Sequence, residues 1–161
     1  MAWLETRRTT SATAARKAGS VELSVVLSTS TASPAADRGS NGGDAATRVV
    51  TVGPVRIGGG LPLALLAGPC AIEGESHALR TAETLVRVTG DAKVPFVYKS
   101  SYDKANRSSL RSYRGPGLRE GLRVLTRVRE AFGCPVLSDV HAPEEVGPAA
   151  EALDCLQVPA F

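Results

Sequence analysis

The stretch from Lys99 to Ser109 places several cations and hydrogen-bond donors within one short loop. Two lysines and an arginine stand beside amide and hydroxyl side chains, in the set Lys99, Lys104, Asn106, Arg107, Ser108 and Ser109. Such groups can hold phosphate or carboxylate oxygens through charge-assisted hydrogen bonds. A solvated basic turn would have the same composition. The position of the loop directly after a predicted strand favours an anion-binding site.

Cys70 follows another predicted strand and has three possible roles. It could ligate a metal as a thiolate, act as a nucleophile, or fill space as a small buried side chain. No CxxC spacing accompanies it, because Cys134 and Cys155 are far away in the chain. Burial is the commonest role of a lone cysteine. We interpret Cys134 and Cys155 as core residues.

Asp139, His141 and Gln157 also lie at the ends of predicted strands. Asp139 and His141 are two residues apart, a spacing that puts both side chains on one face of a strand. They could form a base and its orienting partner, or bind a metal. Alternatively, His141 only packs and bonds the backbone. Gln157 lies within the last predicted strand.

Apolar runs of strand length alternate with amphipathic helical segments through the second part of the chain. Strands are predicted at 63–67, 94–98, 135–138 and 155–158, and helices at 76–88, 118–132 and 143–153. The strands are continuously apolar rather than alternating, as in parallel strands buried on both faces. This pattern predicts βαβ units and an α/β fold with a parallel sheet.

The carboxyl ends of parallel strands meet at one edge of a sheet, where α/β proteins build their sites. The polar residues named above are therefore expected to converge. An open doubly wound sheet and a (β/α)8 barrel both satisfy the periodicity. A complete barrel needs about 250 residues, whereas this chain has 161.

Residues 1–47 differ in texture from the rest of the chain. They are dominated by Ala, Ser, Thr, Gly and Arg, with little periodic apolar pattern. Such a segment buries too little surface to offset its ordering entropy. We expect it to be disordered, or to be an extension added by a start codon assigned too early. An organelle transit peptide is a weaker interpretation because acidic residues interrupt it. The folded domain is predicted to begin at residue 48, with a hairpin from Val49 to Ile57 around Gly53-Pro54.

Charge and composition exclude some classes of protein. The net charge is only +3, which gives no argument for nucleic-acid or membrane binding. No apolar run reaches the roughly 20 residues that span a bilayer. Three cysteines fit no disulfide framework, so we expect a reducing, cytoplasmic location.

Taken together, several motifs resemble KDO-8-phosphate synthases (3-deoxy-8-phosphooctulonate synthases). The match begins at Val49 and includes AGPCAIE from Ala67, KSSYDKANRSS from Lys99, SYRGPGL from Ser112, SDVHAPEE from Ser138 and LQVPAF from Leu156. The resemblance implies a (β/α)8 TIM barrel with an N-terminal β-hairpin across its bottom, truncated here to about four strands. It also implies a role in KDO and lipopolysaccharide biosynthesis.

The activity implied by the resemblance is condensation of phosphoenolpyruvate with D-arabinose 5-phosphate and water. By this analogy Lys99 and Lys104 contact phosphoenolpyruvate, and Asp139 and Gln157 line the same pocket. Lys104 and Asp139 take the catalytic roles. The pentose and its phosphate are assigned to Asn106, Arg107 and Ser108.

Cysteine in the first strand-end motif resembles the metal-dependent class of this family. The resemblance implies that Cys70 binds a divalent ion such as zinc, iron or manganese, whereas His141 is not a ligand. The family's other ligands, a histidine, a glutamate and an aspartate, come from the second half of the barrel. We therefore expect this chain alone to be an inactive fragment, and the full-length family to form homo-oligomers, as tetramers.

Two alternatives remain open from the sequence. One is a related synthase that makes the seven-carbon aromatic precursor, which shares the GPC-type start but differs in the KANRSS loop. The other is a non-catalytic half-barrel that binds phosphosugars. Leu110-Arg111 stands where relatives often have an Ile-His pair, so the fine contacts of the loop are not assigned.

Overall fold

The computed structural model describes residues 21–26, 48–105 and 113–159. Within them the strands are β1 (Val21–Val26), β2 (Val50–Val52), β3 (Val55–Ile57), β4 (Ala64–Pro69), β5 (Phe96–Lys99), β6 (Val136–Asp139) and β7 (Cys155–Gln157). The helices are α1 (Glu75–Asp91), α2 (Leu118–Phe132) and α3 (Pro143–Ala152).

A five-stranded sheet in the order β1-β4-β5-β6-β7 forms the centre of the fold. The four strands from β4 to β7 pair in parallel, and a helix connects each to the next. This arrangement confirms the predicted α/β class and its βαβ units. The predicted bounds of α2 agree with the structure, and the other elements differ by a few residues at their ends.

The helices cover one face of this sheet. Tyr98 of β5 is fully buried there and donates a hydrogen bond from its hydroxyl to the carbonyl of Ala78 in α1, at 3.3 Å. The predicted amphipathic pattern of α2 is confirmed, with Leu122, Leu125 and Val128 in the core. Cys134 is buried in the same core as predicted, and burial raises the pKa of its thiol to about 11.

The opposite, inner face of the sheet packs against the hairpin of β2 and β3. Val52 and Val55 of the hairpin form a second apolar cluster with Ala64, Val97 and Leu137, against which Cys155 also packs. The hairpin approaches Pro135, which directly precedes β6, so it lies at the amino ends of the strands. This confirms the predicted hairpin and leaves the carboxyl ends for other side chains.

Strand β1 lies within residues 1–47, the segment that the sequence predicts to be disordered or to be an extension from a start codon assigned too early. Its six residues pair antiparallel with β4, in the register Ser24↔Leu66. The rest of the extension lies outside the described residues. In a closed (β/α)8 barrel each strand has parallel neighbours on both sides. Because β1 holds one edge of β4, β1 and a closing parallel strand would compete for that edge.

We expect Ser24→Pro to expose the β4 amides that face β1 to hydrogen exchange. Leu65 donates its N–H to the carbonyl of Pro95 at 2.8 Å. Since successive backbone groups of a strand point to opposite neighbours, the N–H of Leu66 points toward β1. Proline at Ser24 removes the N–H that faces the carbonyl of Leu66, and this loss weakens the strand pairing that also shelters the N–H of Leu66. Hydrogen exchange should therefore accelerate at Leu66 and not at Leu65.

Leu23→Pro is the matched control, because that N–H points away from β4 in this register. If Leu66 exchanges at the same rate in the parent chain and in Ser24→Pro, β1 does not protect the edge of β4 in solution.

Among the described helices, none combines the length and the apolarity that a membrane span demands.

Candidate functional site

Three of the predicted site residues lie at the carboxyl ends of neighbouring strands on the inner face. Lys99 is the last residue of β5, Asp139 of β6 and Gln157 of β7. Each stands two residues after an inner-face apolar residue, namely Val97, Leu137 and Cys155. Because side chains alternate along a strand, the inner face changes from apolar at the hairpin end to polar at the carboxyl end.

The register of the strands brings these residues to the same end of the sheet. Asp139 pairs directly with Gln157, and the N–H of Val140 donates to the carbonyl of Gln157 at 3.0 Å. Lys99 pairs with Leu137, which lies two residues before Asp139 on the same face of β6. The predicted convergence of the strand ends is thus confirmed, whereas the roles of the individual side chains remain predictions.

The segment that contains Cys70 joins the same end of the sheet. Ala71 forms a parallel bridge with Ser101, and Ile72 donates its N–H to the carbonyl of Ser101 at 3.0 Å. The hydroxyl of Ser100 donates to the carbonyl of Pro69 at 2.9 Å. Half-buried Cys70 is therefore held next to the start of the loop after β5.

The residues present do not by themselves complete a metal site. Across the ranges that the structure describes, no group of three or more His, Cys, Asp and Glu side chains could hold a metal ion. Structural and catalytic metal sites take at least three protein ligands in most cases. Cys70 can supply one thiolate, so water or residues outside the described ranges would have to supply the remaining ligands of a metal ion.

His141 contacts both the backbone and Asp139. Its Nε2 atom lies 3.0 Å from the carbonyl oxygen of Asp103 and 3.4 Å from Oδ2 of Asp139. The geometry therefore contains both arrangements that the spacing left open, a carboxylate beside the ring and a ring bonded to backbone. Two groups from different segments of the chain, the carbonyl of Asp103 and the carboxylate of Asp139, therefore orient the His141 side chain.

The loop after β5 is tied together at its base. Arg114 forms a bidentate ion pair with Asp103, at 2.9 and 2.6 Å, and the N–H of Lys104 donates to the carbonyl of Arg114 at 2.8 Å. Lys104 is half-buried at this point. The predicted pentose-binding residues Asn106, Arg107 and Ser108 lie outside the described residues.

Buried polar atoms without partners concentrate at this end of the sheet. In the described ranges, four buried side-chain atoms have no hydrogen-bond partner: Oγ of Ser101, Oδ1 of Asp139, Nδ1 of His141 and, in the first turn of α1, Nδ1 of His77. Such atoms are rare in folded proteins. The first three lie at or just after the carboxyl ends of β5 and β6, where a polar ligand would satisfy them.

Sequence reasoning missed one contact between the loops. The hydroxyl of Tyr102 donates to Oε2 of Glu145 at 2.7 Å, although the two residues are far apart in the chain. Burial and this hydrogen bond raise the pKa of Tyr102 well above its ordinary value of 10.0, so the hydroxyl stays protonated. The only signal in the sequence was an acidic first turn on α3, which also suits a solvated helix start.

Parallel strands with a polar carboxyl end and an apolar, hairpin-covered amino end define the chain as a β/α protein with a strand-end site, a class that includes the β/α barrels. It belongs to the DAHP synthetase I family, whose model matches residues 17–161.

Curated relatives are similar in sequence to most of this chain. A protein of Citrifermentans bemidjiense named 2-dehydro-3-deoxyphosphooctonate aldolase is 58% identical over 115 residues, which cover 71% of this chain and 42% of the relative. Proteins of the same name from Geobacter sp. strain M21 and Geobacter metallireducens are 57% and 54% identical over the same shares. The chain thus spans less than half the length of these relatives.

Proposed function

We propose that this chain contributes the first four parallel strands, with the three helices that connect them, of a synthase that forms 3-deoxy-octulosonate 8-phosphate and phosphate. Its substrates are phosphoenolpyruvate, D-arabinose 5-phosphate and water. The observation that carries the proposal is the convergence of Lys99, Asp139 and Gln157 beside buried polar atoms that lack partners. The relatives' name, which describes an eight-carbon phosphorylated sugar acid, agrees with this product.

The reaction joins two anions, which is the physical problem that the site must solve. C3 of phosphoenolpyruvate attacks the aldehyde of the pentose, water adds at C2, and the C–O bond to phosphate breaks. Lys99 and Lys104 would offset the repulsion between the two phosphates and stabilise the charge that develops. Asp139 and Gln157 would orient the reacting groups through hydrogen bonds, with Asp139 beside His141.

Calorimetry with the full chain tests this proposal. We expect phosphoenolpyruvate to bind, and arabinose 5-phosphate to bind in its presence at least about 10-fold more tightly than a four-carbon aldose phosphate. The four-carbon sugar is the partner that would give the seven-carbon product of the alternative synthase. Tighter binding of the four-carbon sugar would assign the chain to that synthase instead.

A divalent metal bound through Cys70 is a separate proposal, which rests on the resemblance to the metal-dependent class. Titrating the chain with cobalt(II) should give a thiolate-to-metal charge-transfer absorption, because a coordinating thiol is deprotonated. Cys70→Ser should abolish this absorption. Cys155→Ser is the control, since Cys155 packs against the apolar inner-face cluster. An absorption that survives in Cys70→Ser would exclude Cys70 as the ligand.

A further inference from the structure

Glu145 joins the loops that follow β5 and β6. Its Oε2 atom accepts two hydrogen bonds, from the hydroxyl of Tyr102 at 2.7 Å and from the backbone N–H of His141 at 2.9 Å. Glu145 itself lies in the first turn of α3. Hydrogen bonds to an ionised carboxylate are about twice as strong as neutral ones, so both loops are held to one fixed atom.

Tyr102 is a rigid support for this carboxylate. Its side chain is fully buried, and its carbonyl accepts a hydrogen bond from the N–H of Gly117 at 3.0 Å. At Gly121 in α2, an added Cβ would lie only 2.2 Å from Cβ of Tyr102. The aromatic ring of Tyr102 also contacts the imidazole ring of His141 edge-on, with ring centroids 6.1 Å apart. Tyr102 therefore has little room to move.

The contacts of Glu145, Tyr102 and His141 form a closed cycle. Tyr102 donates to Glu145, Glu145 accepts from the N–H of His141, and Nε2 of His141 lies 3.0 Å from the carbonyl of Asp103. Asp103 is bonded to Tyr102 along the chain and precedes Lys104. A closed cycle of this kind fixes the relative position of its members better than the separate bonds would.

We propose that Glu145 is a positioning residue that holds the Lys104 segment and His141 in their places, and that it thereby sets the affinity of the site for phosphoenolpyruvate. The affinity part rests on the proposed function. A carboxylate near an anionic substrate would by charge alone weaken binding. Removing it should therefore strengthen binding if charge dominates, and weaken binding if positioning dominates.

The experiment compares four variants of the full chain by calorimetry with phosphoenolpyruvate. In Glu145→Ala we expect the Kd to rise about 10-fold, and in Tyr102→Phe about 3-fold, because one or both hydrogen bonds are lost. Glu145→Gln should stay within about 2-fold of the parent chain, since its amide oxygen can still accept. Glu144→Ala is the matched control, because Glu144 carries the same charge on the same turn and is exposed.

Amide exchange of Lys104, whose N–H bonds the carbonyl of Arg114, gives a readout that does not depend on substrate. It should accelerate at least about 10-fold in Glu145→Ala relative to Glu144→Ala. If the parent chain binds no phosphoenolpyruvate, the proposed function and the affinity part both fail, and this rate alone decides whether Glu145 holds the segment. Equal affinity and equal exchange in Glu145→Ala and Glu144→Ala would overturn the proposal. Should Glu145→Ala not fold, Tyr102→Phe and Glu145→Gln carry the comparison.

Discussion

Replacing Lys99 by methionine is expected to raise the Kd for phosphoenolpyruvate roughly 10- to 100-fold. Methionine keeps most of the length of the side chain but removes the charge, and hydrogen bonds to charged groups contribute about 1.5–3 kcal/mol. Lys99 ends β5 on the inner face and is half-buried, so water compensates poorly for its loss. Calorimetry of the full chain measures the change.

Lys93→Met is the control for this prediction. Lys93 is exposed and lies just before the amino end of β5, the end away from Lys99. Lys93→Met therefore removes the same charge as Lys99→Met, but at a distance of about the length of β5 from the proposed site. An equal loss of affinity in both variants would indicate a general effect of net charge. In that case the carboxyl end of β5 would not be the binding site.

Gly68→Ala is expected to destabilise the fold by at least about 3 kcal/mol, the upper part of the range for overpacked sites. A Cβ at Gly68 would lie 1.9 Å from the carbonyl oxygen of Lys99 and 2.9 Å from its carbonyl carbon. Both atoms belong to the backbone of β5, in the interior of the sheet. Only a displacement of β4 or β5 can relieve this contact, and it would also move Lys99.

Gly90→Ala provides the comparison for stability. Gly90 lies near the end of α1, and an added Cβ there meets nothing within 4 Å. Alanine in a helix is favoured over glycine by about 0.5–1 kcal/mol, so this variant should be slightly more stable than the parent chain. Urea unfolding measures both changes. A Gly68→Ala chain as stable as its parent would show that β4 and β5 do not approach as closely as described.

The parallel core could be predicted because its signals are local. Continuous apolar runs such as those of β4 and β5 mark strands that are buried on both faces, and the spacing of Leu118, Leu122, Leu125 and Val128 marks one face of a helix. Strand β1 was missed, although Val21, Leu23 and Val25 alternate with polar residues as in a half-buried strand. Its partner could not be predicted, because the pairing depends on the exposed edge of β4.

The location of the candidate site could be predicted from the sequence, but its hydrogen-bond network could not. Strand-end positions of Lys99, Asp139 and Gln157 followed from the parallel topology, which brings carboxyl ends together. The bond between Tyr102 and Glu145 did not follow, because it joins two loops whose separation depends on how α3 packs. Tertiary contacts between polar side chains leave no periodic trace in a sequence, so this part of the site had to come from the structure.

A phosphoenolpyruvate site at the strand ends can be located by NMR on the isotope-labelled full chain. On addition of phosphoenolpyruvate we expect shifts concentrated on the amides of Lys99, Ser100, Asp139 and Gln157, at the carboxyl ends of the parallel strands. The hairpin residues from Val50 to Ile57, at the amino ends, should not shift. Shifts centred on the hairpin, or no shifts at saturating ligand, would show that this chain carries no phosphoenolpyruvate site at its strand ends.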